Sequence, residues 1–530
     1  MGSLQHSQSD RPAAARPADS MSKHHGLIFV PQPSDDERDP LRWPRYLKHL
    51  ALAVTAFLNF TANFAGSGLS VATPVLEAQF GKSENEINGL LTFNFLFLGL
   101  GNLFWVPFGT KFGKRASLIL STMLLFASLI WTARTTSFNS LLAARCVSGF
   151  ASAAGESIVP AIVSDIFFLH ERAAMMACYT ILVSGATAIG PLCAAFIVQY
   201  SPGGWIDYIW VCMALAGVNC IGIILCYPES NFRRPQDNST QAEPDAVLYA
   251  SDLSKPREEH QGDARSENQA EADCPSPCNA VSVVPKPLPS VWTTFFTIDH
   301  SASLLRAFIQ PLIMLMQPPV LLAIYVYGTS LSCQIILIFA FPSFLTAPPY
   351  LFNSSAVGLM QIAAAIGFVL ASFIGGYLAD VITARVIVLQ HGVVRPEQRL
   401  ISLAPACFVA PSGCILVAFS CAYKLHWVAI AFGFGMVSFG TVFAPNIIIT
   451  YVVESYPHMA ADALVMINVA KNLVAFLFLY TAVEWIASSG WIQVYMIMFM
   501  LVTLGMLLAV PFYFYGARMR AACRGLLYIL

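Results

Sequence analysis

Twelve apolar runs, each long enough to cross a bilayer, constrain this chain more than any other feature. A hydrocarbon core about 30 Å thick needs roughly 20 apolar residues per helix. Six runs come early, at about 49–72, 87–108, 116–134, 140–163, 175–200 and 208–227. Six come late, at about 316–342, 356–378, 401–421, 427–450, 462–486 and 491–515, and Pro318 and Pro319 interrupt the start of the seventh. Composition agrees. Hydrophobic residues make up 56% of the chain, charged residues 11%, and mean hydropathy is +0.63, where a soluble domain carries about 25% charged residues. The expected fold class is an all-α integral membrane protein with twelve transmembrane helices.

The runs fall into two sets of six, which suggests duplication of a six-helix unit. Parallel repeats of this kind are a transporter plan, with the substrate site near the midplane between the halves. The expected division is a polar, disordered tail (1–47), a first bundle (48–228), a linker (229–309), a second bundle (310–516) and a C-terminal tail (517–530). The first 45 or so residues hold no early apolar run of a cleavable signal, so span 1 serves as the insertion signal. The linker is acidic and poor in aromatics, as disordered segments are. Its end, Val291 to Phe308, reads either as an interfacial amphipathic helix or as a lead-in to span 7. Basic residues crowd alternate loops (Arg42, Arg45 and Lys48; Lys111, Lys114 and Arg115; Arg172; Arg233 and Arg234; Arg385, Arg395 and Arg399; Arg518, Arg520 and Arg524). By the positive-inside rule both termini are expected in the cytoplasm.

Charges inside apolar runs are the first candidates for function, because an intramembrane ionisable residue is expensive and usually faces a cavity. Span 4 holds Arg145, Gly149, Ser152 and Glu156 at helical spacing, on one face. Eleven residues separate the two charges by roughly 16 Å, too far for pairing, though both can line one aqueous path. A carboxylate in a low-dielectric cavity can load and release a proton near neutral pH. Glu156 is therefore a candidate proton carrier with Arg145 as its electrostatic modulator. The alternative places Glu156 near the cytoplasmic end, capped by loop groups.

Lys471 lies near the middle of span 11, beside Asn468 and Asn472. A buried lysine needs a depressed pKa or a carboxylate partner, so Lys471 either contacts substrate or locks against another helix. Asn59, Asn63 and Asn94 in spans 1 and 2 are interhelical hydrogen bonders or ligand contacts. Phe60, Phe64, Phe341 and Tyr451 are candidate linings of an apolar pocket.

Small residues and loops supply candidates for gating. Gly185, Gly190, Pro191 and Ala194 in span 5 form a small-residue surface with a proline kink, which allows close helix approach and removes one helical hydrogen bond. It reads as a hinge seam or as an ordinary packed pair. The loop after span 2, WVPFGTKFGKRAS, carries Gly109, Lys111, Gly113, Lys114 and Arg115. The loop after span 8, GGYLADVITARVIV, carries Gly376, Asp380 and Arg385. Basic residues there can meet a helix C-terminal dipole or a carboxylate on the neighbouring bundle, and recurrence at equivalent places favours a latch over a solvated turn. Asn353-Ser354-Ser355 is a glycosylation sequon in an expected external loop.

Here the chain resembles a known family. GTKFGKR is similar to the loop 2–3 signature of the major facilitator superfamily, with Val106, Thr110 and Lys111 where the family has Gly, Asp and Arg. GYLAD keeps the acid as Asp380. LLAARCVSGFASAAGES resembles the span 4 motif through Arg145 and Gly149, with Ser148 for the usual Gln. ILVSGATAIGPLCAA resembles the span 5 antiporter motif through Gly190 and Pro191, with Ala194-Ala195 for its terminal Gly-Gly and the earlier glycine displaced to Gly185. DPLRWPRY, SDIFFLHERA, YPESNFRRP, APPYLFNSSAVGL and RPEQRL are similar to phrases of the fungal twelve-span drug:proton antiporter group. The resemblance implies two six-helix bundles of the major facilitator fold and proton-driven export of a drug, toxin or secondary metabolite.

Other classes fare poorly. The ten histidines lie in tails, loops or span ends, with no clustered set for a membrane metal centre. The thirteen cysteines mostly sit in apolar runs as small hydrophobes. Gly81-Lys82-Ser83 lacks the upstream glycine of a phosphate loop, and a net charge of −1 offers no argument for nucleic acid. No metal or cofactor is expected. The expected partners are a small-molecule substrate, protons and the lipid bilayer, for a monomer in the plasma membrane that is not an enzyme. Uptake of a nutrient by a facilitator or symporter is the alternative.

Overall fold

The structure, a computed structural model, describes residues 23–24, 27–28, 39–232, 304–389 and 395–527. Apart from a two-residue antiparallel pairing of Lys23–His24 with Leu27–Ile28, the described residues are helices and their connections. The first half comprises α1 (Arg45–Gly68), a short α2 (Thr73–Phe80), α3 (Glu84–Phe112), α4 (Lys114–Arg134), α5 (Phe138–Ile166), α6 (Leu169–Tyr200) and α7 (Trp205–Cys226). The second comprises a short α8 (Leu304–Met314), α9 (Pro318–Thr346), α10 (Ser354–Leu389), α11 (Ala404–Ala422), α12 (Trp427–Ser455) and α13 (Ala460–Leu527). Gly490, at φ 76°, breaks α13 in two. Eleven helical stretches are long and apolar enough to cross a membrane. Dividing the last at Gly490 gives twelve spans among the described residues, six per half.

Local chemistry sets the boundaries. Ser83 caps α3 by accepting from Glu86 N, while the Glu86 carboxylate accepts from Ser83 N, a reciprocal capping box. Pro318 and Pro319 occupy the first turn of α9, where a missing N–H costs nothing. The prolines thus start span 7 rather than interrupt it. Gly113, at φ 96°, makes the turn between α3 and α4, a conformation that favours glycine.

Two expectations need correction at their edges. Ordered structure begins before residue 47, where Asp39 accepts from Leu41 N at 3.0 Å and starts a 3-10 turn, Pro40–Arg42. Leu41 and Trp43 are buried, because the apolar side chains of DPLRW pack where α1 begins. The first bundle extends past the expected linker start at Glu229, because Glu229 and Ser230 are buried against it. Residues 233–303, with most of the linker and Trp292, lie outside the described residues. The described end of the Val291–Phe308 segment belongs to α8, a separate helix that exposes Leu304, Leu305, Phe308 and Leu312 and buries Met314.

Each half has its own apolar core, and the two cores meet. Ile335, Phe339, Ala475 and Leu479 of the second half pack into the first-half core, and Ala188 of the first packs into the second. The halves face one another along two helix pairs, α3 with α13 and α6 with α10. At the ends away from the termini, Asn85 Nδ2 donates to Glu484 Oε1 at 2.8 Å and Ser355 N to Gln199 Oε1 at 2.7 Å. These ties bridge the two halves.

Candidate functional site

Glu156 of α5 and Lys471 of α13 form an ion pair across the contact between the halves. The lysine ammonium donates to Glu156 Oε1. Asn102 of α3 and Asn472 of α13 each donate Nδ2–H to Glu156 Oε2 at 2.9 Å. Lys471 Nζ stands 3.4 Å from the Tyr327 hydroxyl and 4.4 Å from the centre of its ring, on α9. Two helices from each half thus converge on one carboxylate. The side chains of Glu156 and Lys471 are 16% and 6% exposed, so the pair is out of bulk water, where losing either partner is costly.

Sequence patterning puts these groups there. Gly99 is one turn before Asn102, and a Cβ on it would stand 3.2 Å from Asn472 Cβ and 3.3 Å from Val469 O. The glycine lets α3 lie against α13, which brings both asparagines to Glu156. On the other side, Gly155 faces Asn59 of α1 with 3.4 Å of room for a Cβ. Asn59 donates to the Tyr179 hydroxyl of α6, and that hydroxyl donates to Gly155 O at 3.4 Å. Asn63 donates to Asn59 O and Oδ1 at 2.9 and 3.0 Å. Asn59 and Asn63 therefore make hydrogen bonds beside the site rather than contact Glu156.

Arg145 lies elsewhere. It is fully buried, and its guanidinium donates to Ala65 O and Gly66 O at the end of α1, at 3.2 and 2.9 Å. Its own carbonyl accepts from Asn94 Nδ2 at 2.9 Å. A Cβ on Gly149 would stand 2.3 Å from Asn94 O, so this part of the span 4 motif is a tight α3–α5 contact. Arg145 and Asn94 knit α1, α3 and α5 together and do not touch Glu156. The aromatics proposed as pocket lining are largely core. Phe341 and Tyr451 are fully buried in the second half, and Phe60 and Phe64 stack on one another at 5.8 Å.

The seam expected in span 5 divides into unlike positions. A Cβ on Gly190 would stand 2.6 Å from Phe64 O and 2.9 Å from Ser67 Oγ, so α6 lies directly on α1. Gly358 of α10 meets Ala195 in the same way, at 2.3 Å. The helix with the Gly190-Pro191 kink is thus packed on both halves at once. Gly185 meets only Ile189 of its own helix, at 3.9 Å.

The loop after span 2 is fastened within its own half. Lys114 pairs with Asp165 at the end of α5. Glu229 accepts from Lys114 N and Arg115 N, both at 3.1 Å, so a carboxylate caps the N-terminus of α4, where the helix dipole favours an anion. Arg115 also donates to Ile224 O at 2.8 Å. Burial holds the Glu229 carboxyl above the usual glutamate range, with the N–H groups of Asn231, Arg115 and Lys114 working the other way. Thr110, where the resembling family has Asp, donates to Val106 O. A Cβ on Gly109 would stand 3.4 Å from Ile158 Cδ1 and Ser117 Oγ, and Lys111 is half-buried in the last turn of α3. In the second half, Arg399 pairs with Glu454 and Arg520 with Glu397. Gly376 and Arg385 are exposed on α10, and the side chain of Asp380 lies outside the described residues. Asn353 is exposed and caps α10, accepting from Ala356 N at 3.1 Å.

Sequence reasoning did not single out Asn102, Tyr327, Tyr179 or Glu229. Asn102 carries the same local signal as Asn94, an amide inside span 2, whereas Tyr327 is defined only by a partner on another helix. Glu229 did have one, a lone acid in YPES just past an apolar run.

The sequence profile of the Major Facilitator Superfamily matches residues 52–479. An MFS-type transporter of Schizosaccharomyces pombe is 23% identical over 523 residues, covering 94% of this chain and 89% of the relative. The MFS antiporter QDR3 of Candida albicans is 23% identical over 543 residues, covering 85% and 74%. Among solved structures, the human organic anion transporter MFSD10 (TETRAN) matches with a TM-score of 0.55 at 14% identity, covering 88% of this chain and 100% of that one.

Proposed function

The chain belongs to the major facilitator superfamily, a multi-pass membrane transporter, and we propose that it exports small amphipathic organic compounds by proton antiport. The observation that carries this reading is the ion pair between Glu156 and Lys471. It joins the halves at a titratable group. A proton on Glu156 removes the charge that Lys471 pairs with, and an unpaired buried ammonium is costly by about 3–5 kcal/mol. Proton loading thus loosens the contact between the halves, and proton release restores it. That is the coupling an alternating-access antiporter needs.

The name of the Candida albicans relative, an antiporter, supports exchange, and the Gly190-Pro191 kink supports a place in the drug:proton antiporter group. The substrate is a drug, toxin or secondary metabolite. Asn102, Asn472, Lys471 and Tyr327 face the pathway beside Glu156. Gly190 and Pro191 act as the seam, and Gly109, Gly113, Lys114 and Arg115 as the cytoplasmic latch of the first half. The protein resides as a monomer in the plasma membrane with both termini in the cytoplasm, and Asn353 carries an N-glycan outside.

The test is accumulation of a panel of labelled amphipathic compounds in cells with and without the protein, with a protonophore control. Export predicts lower accumulation that the protonophore abolishes, and the same loss in Glu156→Gln at unchanged surface expression. Higher accumulation in cells carrying the protein overturns the export reading.

A further inference from the structure

Both asparagines beside Glu156 are half-satisfied. Asn102 and Asn472 are 0% and 1% exposed. Each gives its amide N–H to Glu156 Oε2, and each leaves its Oδ1 buried with no donor; Asn102 Nδ2 is also tied to Leu98 O at 2.9 Å. An orphaned buried carbonyl is costly, and two of them flank one carboxylate, one from each half.

The chemistry of the carboxyl group explains the arrangement. Ionised, Glu156 is acceptor-only and is served by two N–H donors. Protonated, it carries an O–H that needs an acceptor, and two inward N–H groups would oppose it. A carboxamide can answer either state, because its two ends are nearly the same size. Half a turn about its last torsion exchanges oxygen for nitrogen without a change of volume.

We propose that Asn102 and Asn472 are positioning residues, and that Asn472 reads the protonation state of Glu156 by carboxamide reversal. With the carboxylate ionised, nitrogen points in and oxygen is stranded. With the proton on Oε2, Asn472 turns its oxygen inward to accept it, while Asn102 stays tied to Leu98 O. The proton stays on Glu156 and no bond to nitrogen changes. This inference rests on Glu156 being the proton carrier.

The reversal has a route to the contact between the halves. Asn472 is the sequence neighbour of Lys471, and its Cβ lies against Gly99. The titratable groups that face Glu156 are Lys471 on α13, Tyr327 on α9 and Tyr179 on α6. The elements α1 and α3 present Asn59 and Asn102 there, neither of which titrates. The amides therefore sort the two states of the carboxyl beside a fixed set of charges.

Infrared difference spectroscopy tests this without a substrate. The full-length protein is purified into nanodiscs with asparagine labelled with carbon-13 at the side-chain carbonyl, and spectra are recorded across a pH titration. The expected result is a protonated-carboxyl band, absent in Glu156→Gln, that rises together with a shift of an asparagine carbonyl from free to hydrogen-bonded. Asn472→Leu loses the asparagine shift and Asn102→Leu keeps it, and both move the carboxyl transition to higher pH by about one unit, the tenfold effect of about 1.4 kcal/mol. Asn472→Ser, which has no carboxamide and adds no titrating group, serves if the leucine variants fail to fold, and loses the same asparagine shift. A Glu156 band that titrates with no asparagine shift overturns this inference and leaves the proton site standing. A carboxyl band that persists in Glu156→Gln overturns both.

Discussion

The ammonium of Lys471 reaches the carboxylate of Glu156, 315 positions earlier in the chain and on the other half of the molecule. With Asn102 and Asn472 on the same carboxylate, one partly buried acid binds helices from both halves. Breaking the pair should therefore be felt in stability as well as transport.

Lys471→Ala is expected to destabilise the protein by about 3–5 kcal/mol, the cost of leaving a buried charge unpaired, and to abolish transport. The double variant Lys471→Ala with Glu156→Gln is expected to regain much of that stability without regaining transport. Thermal unfolding in detergent, run as a double-mutant cycle, checks the pair. Additive losses would mean that the two side chains do not interact.

The glycines of α6 and α10 are expected to differ sharply. Gly190→Ala and Gly358→Ala each push a methyl into atoms 2.6 and 2.3 Å away. Overpacking of this kind costs about 1–3 kcal/mol, and it spreads α6 from α1 or from α10. Gly185→Ala meets nothing outside its own helix and is expected to transport as wild type. Parallel melting and transport assays on the three variants decide this, and equal tolerance at all three sites would remove the seam.

Arg145→Lys is expected to fall between wild type and Arg145→Ala in stability. The fork of the guanidinium serves two carbonyls, Ala65 O and Gly66 O, whereas lysine offers a point charge. Alanine strands both carbonyls, at about 1–3 kcal/mol each where they are buried. The readout is the melting temperature together with the amount of protein at the cell surface. A full-strength Arg145→Ala melt with selective loss of pH response would return Arg145 to a direct role in coupling.

Glu229 gives a pH prediction with a definite sign. Its carboxyl is held above the ordinary value of 4.5 by burial, so the folded state takes up a proton more readily than the unfolded chain. Stability then falls as pH rises from the ordinary value through the raised one, and is level above it. Glu229→Gln, which cannot ionise, is expected to lack this component. The difference in melting temperature between wild type and variant, followed from pH 4 upwards on an approximate one-unit grid, isolates it. A wild type that gains on the variant over that window would reverse the sign.

The linear chain displayed the architecture because bilayer crossing is a local property. Twenty apolar residues in a row, a glycine at a turn and a proline pair at a helix start each act within a few positions. The apolar runs, the division into sixes, the expensive Glu156 and Lys471 and the small residues around Gly190 were all legible for that reason. The tertiary structure alone decided which expensive residues meet. Arg145 and Glu156, on one helix, do not touch, while Glu156 and Lys471, on opposite halves, do. Asn102 had the same signal as Asn94, an amide in an apolar run, but which of the two meets Glu156 depends on the partner helix placed against it, and Tyr327 had no signal of its own. Burial makes an ionisable group costly wherever it falls, so its position can be read from sequence. What offsets that cost is a contact in space, which residue order does not encode locally.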